Sequence, residues 1–239
     1  MKAMKTPFLI SLVAVSVFSC NYDETPIRTA DVIKDITFEK AQLDADGMSQ
    51  TRLTVELPFK ADADKRTVTI STSSGTFAAT DGKSTINVVA VQDETQNPFR
   101  LLAQATLISP QTEGNAIITA SIAGYAQTKS YTFITAQPEA IVITPSQLVI
   151  KQGPENEIQL VVTLTRTKGI PSLNQSVQLT VSDPAGNQKG RFRSSTSVSD
   201  PAGKCYFAYT LGTDKYEGPL IIKATTSNNK SSTYTIYAQ

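Results

Sequence analysis

The side chains able to carry chemistry are few, and their spacing constrains what they do. The chain has two cysteines, Cys20 and Cys205, and no histidine at all. Histidine is the side chain that titrates near neutrality without perturbation. Its absence removes His-based triads, His proton shuttles and nearly every ordinary catalytic zinc site. Cys205 alternates with Phe207, Tyr209 and Leu211, which places it on the apolar face of a strand. A reactive thiol needs an electropositive, partly exposed setting, so Cys205 reads as a small buried hydrophobe. The acidic pairs Asp44/Asp46 and Asp62/Asp64 stand too close in sequence to face each other across a glycosidase cleft. Asp44-Ala45-Asp46-Gly47 has the opening of a calcium loop without its later bidentate Glu, and reads as a solvated turn. Lys189-Gly190-Arg191-Phe192-Arg193 is the densest basic stretch. In a strand it points Phe192 inward and both arginines outward, as a charged edge does. There is no phosphate-cradling glycine loop, nucleophile elbow or paired CxxC. No catalytic residue, metal site or cofactor is expected, the chain is not read as an enzyme, and no ligand-binding residue can be named.

Charge and composition narrow the classes further. Lys and Arg number 22 against 21 Asp and Glu, a formal net charge of +1. Nucleic-acid binding needs a concentrated basic face to release counterions, and none is present. The chain lacks Trp, which weakens the case for a glycan site built on stacked indoles. Hydrophobic residues make up 40% of the 239, enough for real cores. Charged residues are only 18%, with abundant Ser, Thr, Val and Ile, a composition that favours strands over helices.

The amino terminus carries Lys2 and Lys5, followed by an apolar run from Phe8 to Phe18. That is the layout of a secretory signal peptide, and the run is shorter than the roughly 20 apolar residues of a spanning helix. It ends in Val17-Phe18-Ser19-Cys20, which resembles the lipobox of bacterial lipoproteins. Val17 and Ser19 fit that pattern, and Phe18 is bulkier than its usual occupant. The resemblance implies cleavage before Cys20 and attachment of acyl chains there. One chain binds a membrane marginally, whereas two or three anchor stably. Asn21 to Pro26 is polar and reads as a tether. Its Asp23 and Glu24 loosely resemble a surface-export signal of Bacteroidota lipoproteins, and Asn21 is compatible with sorting to the outer membrane. The expected location is therefore the outer membrane by a lipid anchor, with surface and periplasmic faces both open.

Beyond about Asp35 the pattern is one of short alternating segments. Leu53, Val55 and Leu57 share one face, and Val68 alternates with Thr67 and Thr69. Ile117–Ile122, Tyr131–Ile134, Ile158–Leu164, Val177–Val181, Cys205–Leu211, Leu220–Ala224 and Tyr234–Tyr237 repeat the signal. Asp183-Pro184-Ala185-Gly186 and Asp200-Pro201-Ala202-Gly203 are type I turn sequences. The halves also echo each other, Gly114–Ser121 with Gly218–Thr225 and Leu53–Leu57 with Leu160–Leu164. A period of roughly 105 residues is the size of one immunoglobulin-like sandwich. The chain is therefore expected to be all-β. It divides into a signal peptide (1–19), a lipidated tether (20–34) and two tandem immunoglobulin-like antiparallel β-sandwiches (35–137 and 138–239). No Gly/Ser spacer marks the boundary near Gln137-Pro138, so limited flexibility is expected there.

The second half is similar to bacterial Ig-like domains of the invasin and intimin type. The similarity rests on Ile158–Leu164, on Val177–Val181 before the Asp-Pro turn, and on Ser199–Lys204 leading into Cys205–Leu211 and then Gly218–Ala224. The first half fits more loosely, with a divergent middle at Thr85–Val91 and Arg100–Leu107. That resemblance implies a stalk, spacer or adhesive role rather than a reaction. The leading expectation is a non-enzymatic envelope lipoprotein for adhesion, scaffolding or assembly. Its partners would be the membrane through Cys20 and a protein or glycan of unknown identity. The sequence ends inside the strand Thr233–Ala238, so a further distal recognition module is not expected. The alternative is a glycan- or substrate-capturing lipoprotein beside an outer-membrane uptake system, with Tyr125 and Tyr216 as a stacking platform.

Overall fold

A computed structural model describes residues 28–95 and 99–239. The expected signal peptide, Cys20 and the tether before Arg28 lie outside the described residues. The described part opens with one helical turn, α1 (Thr29–Val32), and strand alternation dominates from there on. The first sandwich runs through β1 (Asp35–Phe38), β2 (Gln42–Asp44), β3 (Gln50–Leu57), β4 (Thr67–Thr72) and β5 (Thr76–Phe77). It is completed by β6 (Thr85–Val89), β7 (Val91–Asp93), β8 (Arg100–Ile108), β9 (Gly114–Ile122) and β10 (Tyr125–Ile134). The second sandwich comprises β11 (Ala140–Pro145), β12 (Val149–Ile150), β13 (Ile158–Thr165) and β14 (Val177–Ser182). It ends with β15 (Arg191–Thr196), β16 (Lys204–Thr210), β17 (Gly218–Thr226) and β18 (Ser231–Ala238).

Each sandwich faces one sheet with another, and the two share a plan. In the first, β1-β3-β8-β5, with β7 also on β8, packs against β2-β10-β9-β4-β6. In the second, β11-β13-β16-β15 packs against β12-β18-β17-β14. Neighbours are antiparallel except at one edge of each sandwich, where β2 lies parallel to β10 and β12 parallel to β18. The sequence repeat thus reappears as equivalent strands, β3 with β13, β9 with β17 and β10 with β18. The divergent middle of the first half is explained by topology. β6 closes one sheet and β7, two residues later, pairs with the other.

Two separate cores result. Ile33, Leu53, Val55, Leu57, Ile70, Phe77, Leu107, Ile118 and Phe133 fill the first. Ile150, Ile158, Leu160, Val162, Cys205, Tyr209, Leu220 and Ile236 fill the second. Burial on alternate residues is visible along β3 and β13, where every second side chain is buried. Both Asp-Pro turns close as their residue types demand. Gly186 N–H donates to Asp183 O at 3.0 Å and Gly203 N–H to Asp200 O at 2.9 Å.

Candidate functional site: the joint between the sandwiches

Among the described residues, a dense polar network lies where the two sandwiches meet. From the first come the turn after β2 (Ala45 to Ser49), the loop after β8 (Ser109 to Gln111) and Ala136 beyond β10. The second contributes the loop after β13, from Arg166 to Gln175. Asp46 is the hub on the first side. Its Oδ1 accepts from Met48 N at 2.9 Å, Ser49 N at 2.6 Å and Ser109 Oγ at 3.0 Å. Its Oδ2 accepts from Ser49 Oγ at 2.7 Å. Burial pushes this carboxyl upward, but the donors from Met48, Ser49 and Ser109 outweigh it and hold the group below its ordinary value. An ionised carboxylate satisfied on all sides is a rigid element.

Ser172 is the hub on the second side and is itself buried. Its Oγ donates to Ala45 O at 2.8 Å and accepts from Ala136 N at 2.8 Å. Backbone amides complete the seam. Ile170 N donates to Asp46 O at 3.0 Å, Ser172 N to Ala136 O at 3.0 Å, and Leu173 N to Gln111 O at 2.9 Å. Gln111 Nε2 reaches Pro201 O at 3.0 Å. Arg166 pairs with Asp44 at 2.6 Å, its side chain only 10% exposed, and also donates to Gln137 O. Arg166 Nε finds no partner among the described residues. Gly169 explains how closely the loop approaches. It has φ of +68°, and a Cβ there would stand 2.6 Å from Asp46 O. Only glycine fits both the conformation and the space.

The burial of Ala45 and Asp46 corrects the reading of Asp44–Gly47 as a solvated turn, although Gly47 stays exposed and Asp44 half-exposed. Ala45 and Asp46 are 0% and 1% exposed, because the loop of the other sandwich covers them. Asp62 and Asp64 do not join them. They lie on the far side of the first sandwich, where Asp62 pairs with Lys65 at 3.8 Å. Among the described residues no group of three or more Cys, Asp or Glu is placed to hold a metal ion.

The other candidates are held structurally. Cys205 is fully buried, and burial, helped by the Asp200 charge, pushes its thiol up to about 11. Lys189 pairs with Asp183 at 3.5 Å and lies over the Tyr216 ring, and Arg193 pairs with Glu157 at 3.9 Å. Phe192 packs on the second core, as its alternation requires. Tyr216 also packs there, with its hydroxyl donated to Pro219 O at 2.9 Å. Tyr125 lines a cleft on the first sandwich instead, so the structure does not bring the two tyrosines together. The joint itself is not legible as a site in the sequence. Its one local signal is Gly169-Ile170-Pro171, a glycine and proline in a loop with no hairpin to close.

No protein-family model matches the chain, and no curated protein matches it. Solved structures do. The chain is similar to the adhesin InvE of Yersinia pseudotuberculosis, with 13% identity and a TM-score of 0.53 over 87% of this chain and 60% of that one. It is also similar to invasin, a bacterial integrin-binding protein, with 17% identity and a TM-score of 0.59 over 86% of this chain and 39% of that one. The chain therefore spans less than two thirds of either neighbour. At these identities the likeness establishes the fold, immunoglobulin-like sandwiches of the kind found in bacterial adhesins.

Proposed function

We propose that this chain is an exported, lipid-anchored envelope protein that works without catalysis, as a stiff two-sandwich module for adhesion, scaffolding or assembly. The joint carries this reading. A protein whose role is chemistry concentrates perturbed, accessible groups in a cleft. Here the buried Asp46 carboxylate braces the turn after β2 within the first sandwich. Ser172, Arg166 and the close approach of Gly169 to Asp46 O tie the second sandwich to that turn. Such a joint suits a spacer that must present its outer domain in a set direction. Cys20 supplies the anchor in this reading, so the first sandwich sits near the membrane and the second projects from it. Recognition then falls to loops or sheet edges of the second sandwich. The likeness to adhesins in fold supports the same reading.

Protease treatment of intact cells tests it. Digestion of the second sandwich from outside is the expected result for an adhesive module. Resistance in intact cells with digestion after lysis places the chain on the periplasmic side and eliminates direct adhesion, leaving scaffolding or assembly.

A further inference from the structure

The core-facing stripe of the first sandwich runs past its last paired residues. Leu53, Val55 and Leu57 of β3 stand opposite Ala105, Ala103 and Leu101 of β8, all buried. Two residues further along each line are Phe59 and Phe99. Their rings lie 6.0 Å apart, yet they are 46% and 45% exposed. Pro58 and Lys60, which flank Phe59 in sequence, line a cleft of about 450 Å³ at the same end, together with Val32, Leu57, Ala61, Ile122 and Tyr125. An apolar surface of this kind on a water-facing end marks a contact with protein or membrane.

Position decides between them. Asp31 and Val32 of α1 line the same cleft, so the preceding chain reaches the molecule at this end. The second sandwich leaves from the opposite end, at Ala45, Gln111 and Ala136. We infer that the Phe59–Phe99 end rests on the membrane, with both rings entering the boundary between headgroups and acyl chains. This rests on the proposed anchor at Cys20. Eight residue steps separate Cys20 from Arg28, a reach of at most roughly 28 Å. An anchor at Cys20 therefore keeps this end within reach of the bilayer. Lys60 and Lys65 border the cleft and can extend their ammonium groups to lipid phosphates while their stems lie on the apolar wall. Asp31 and Asp62 are at the same border, so the charges nearly balance and the rings lead the contact. A second, aromatic foothold beside the lipid would set the tilt of the whole rod, which the tether alone cannot do.

The absence of Trp makes the test direct. Full-length chains carrying Phe59→Trp, Phe99→Trp or, as a control on the second sandwich, Leu148→Trp are mixed with phosphatidylcholine vesicles containing brominated lipid. Emission at the first two positions should shift to the blue and be quenched, with little dependence on salt. Emission from Leu148→Trp, at a 57% exposed site, should do neither. Flotation and the mass of the Cys20 peptide read the anchor separately. A chain that floats while Phe59→Trp stays unquenched overturns the aromatic contact and leaves the anchor standing. A chain that neither floats nor is quenched at saturating lipid overturns both. A blue shift without lipid that grows with protein concentration overturns it too, in favour of a second copy of the chain.

Discussion

Replacing Gly169 by alanine puts one methyl group where the loop after β13 meets the turn after β2. The new Cβ would stand 2.6 Å from Asp46 O and 2.8 Å from Asp46 Cβ and Cγ, well inside contact distance. It also meets a backbone at φ +68°, which costs an L-residue about 1–2 kcal/mol. Gly186 separates the two effects. It has φ +87° with nothing within 4 Å of its would-be Cβ, so Gly186→Ala carries the backbone cost alone. The excess for Gly169→Ala is an overpacking term of about 1–3 kcal/mol. The three atoms nearest this methyl all belong to Asp46, across the joint, so the strain is relieved by opening the joint. Amide hydrogen exchange at Ile170, Ser172 and Leu173, which donate across the seam, reads that opening. A loss of about 1–3 kcal/mol there accelerates exchange roughly 5- to 150-fold. Amides within β13 and β17 should be unchanged beyond the effect of Gly186→Ala. Equal joint exchange in the two variants would refute the claim that this contact holds the sandwiches together.

Ser172→Ala removes the donor to Ala45 O and the acceptor for Ala136 N, and should cost about 1–3 kcal/mol in denaturant unfolding. A change under a few tenths would mean that water replaces the hydroxyl freely. Asp46 gives a pH dependence of fixed sign. Its folded value is depressed, so its contribution is fully present above the unfolded value of about 3.9 and is lost as pH falls through the lower, folded one. The stability gap between wild type and Asp46→Asn should be constant from about pH 7 to 5 and shrink at lower pH; a gap that widens there contradicts the assignment. Cys205, with its thiol raised to about 11, should resist alkylation in mildly alkaline buffer until the chain is unfolded, and rapid labelling of the native protein would contradict its burial. Tyr216→Ala should lower stability through lost core packing, a loss visible in the melting temperature, whereas a purely glycan-binding tyrosine would leave it unchanged.

Much of the fold is legible because strand alternation is a local property. Leu53, Val55 and Leu57 declare their face without reference to any distant residue, as do Leu160, Val162 and Leu164. The Asp-Pro-Ala-Gly turns are equally local, since the Asp carbonyl and the Gly amide that bond are three residues apart. Short strands such as Val149–Ile150 are less legible, because two residues carry no period and only the parallel partner Tyr237–Ala238 makes them a strand. The joint is illegible for a stronger reason. Asp44–Gly47 has a solvent-turn composition, and the loop Arg166–Gln175 that covers its Ala45 and Asp46 lies about 120 residues away. The basic stretch Lys189–Arg193 shows the reverse case. Its Phe192 is readable from alternation, while the partners of Lys189 and Arg193, Asp183 and Glu157, are not implied by spacing.

Cys20 is the pivot of the proposed role, since an anchor there gives the rod both its direction and its compartment. The decisive experiment is membrane partition of the wild-type chain beside Cys20→Ala, with the amino-terminal peptide of each weighed by mass spectrometry. The expected outcome is a wild-type chain in the membrane fraction that begins at an acylated Cys20, and a Cys20→Ala chain released to the soluble fraction. A Cys20→Ala chain that stays in the membrane, or a wild-type chain with an unmodified Cys20, would contradict the anchor and with it the orientation of both sandwiches.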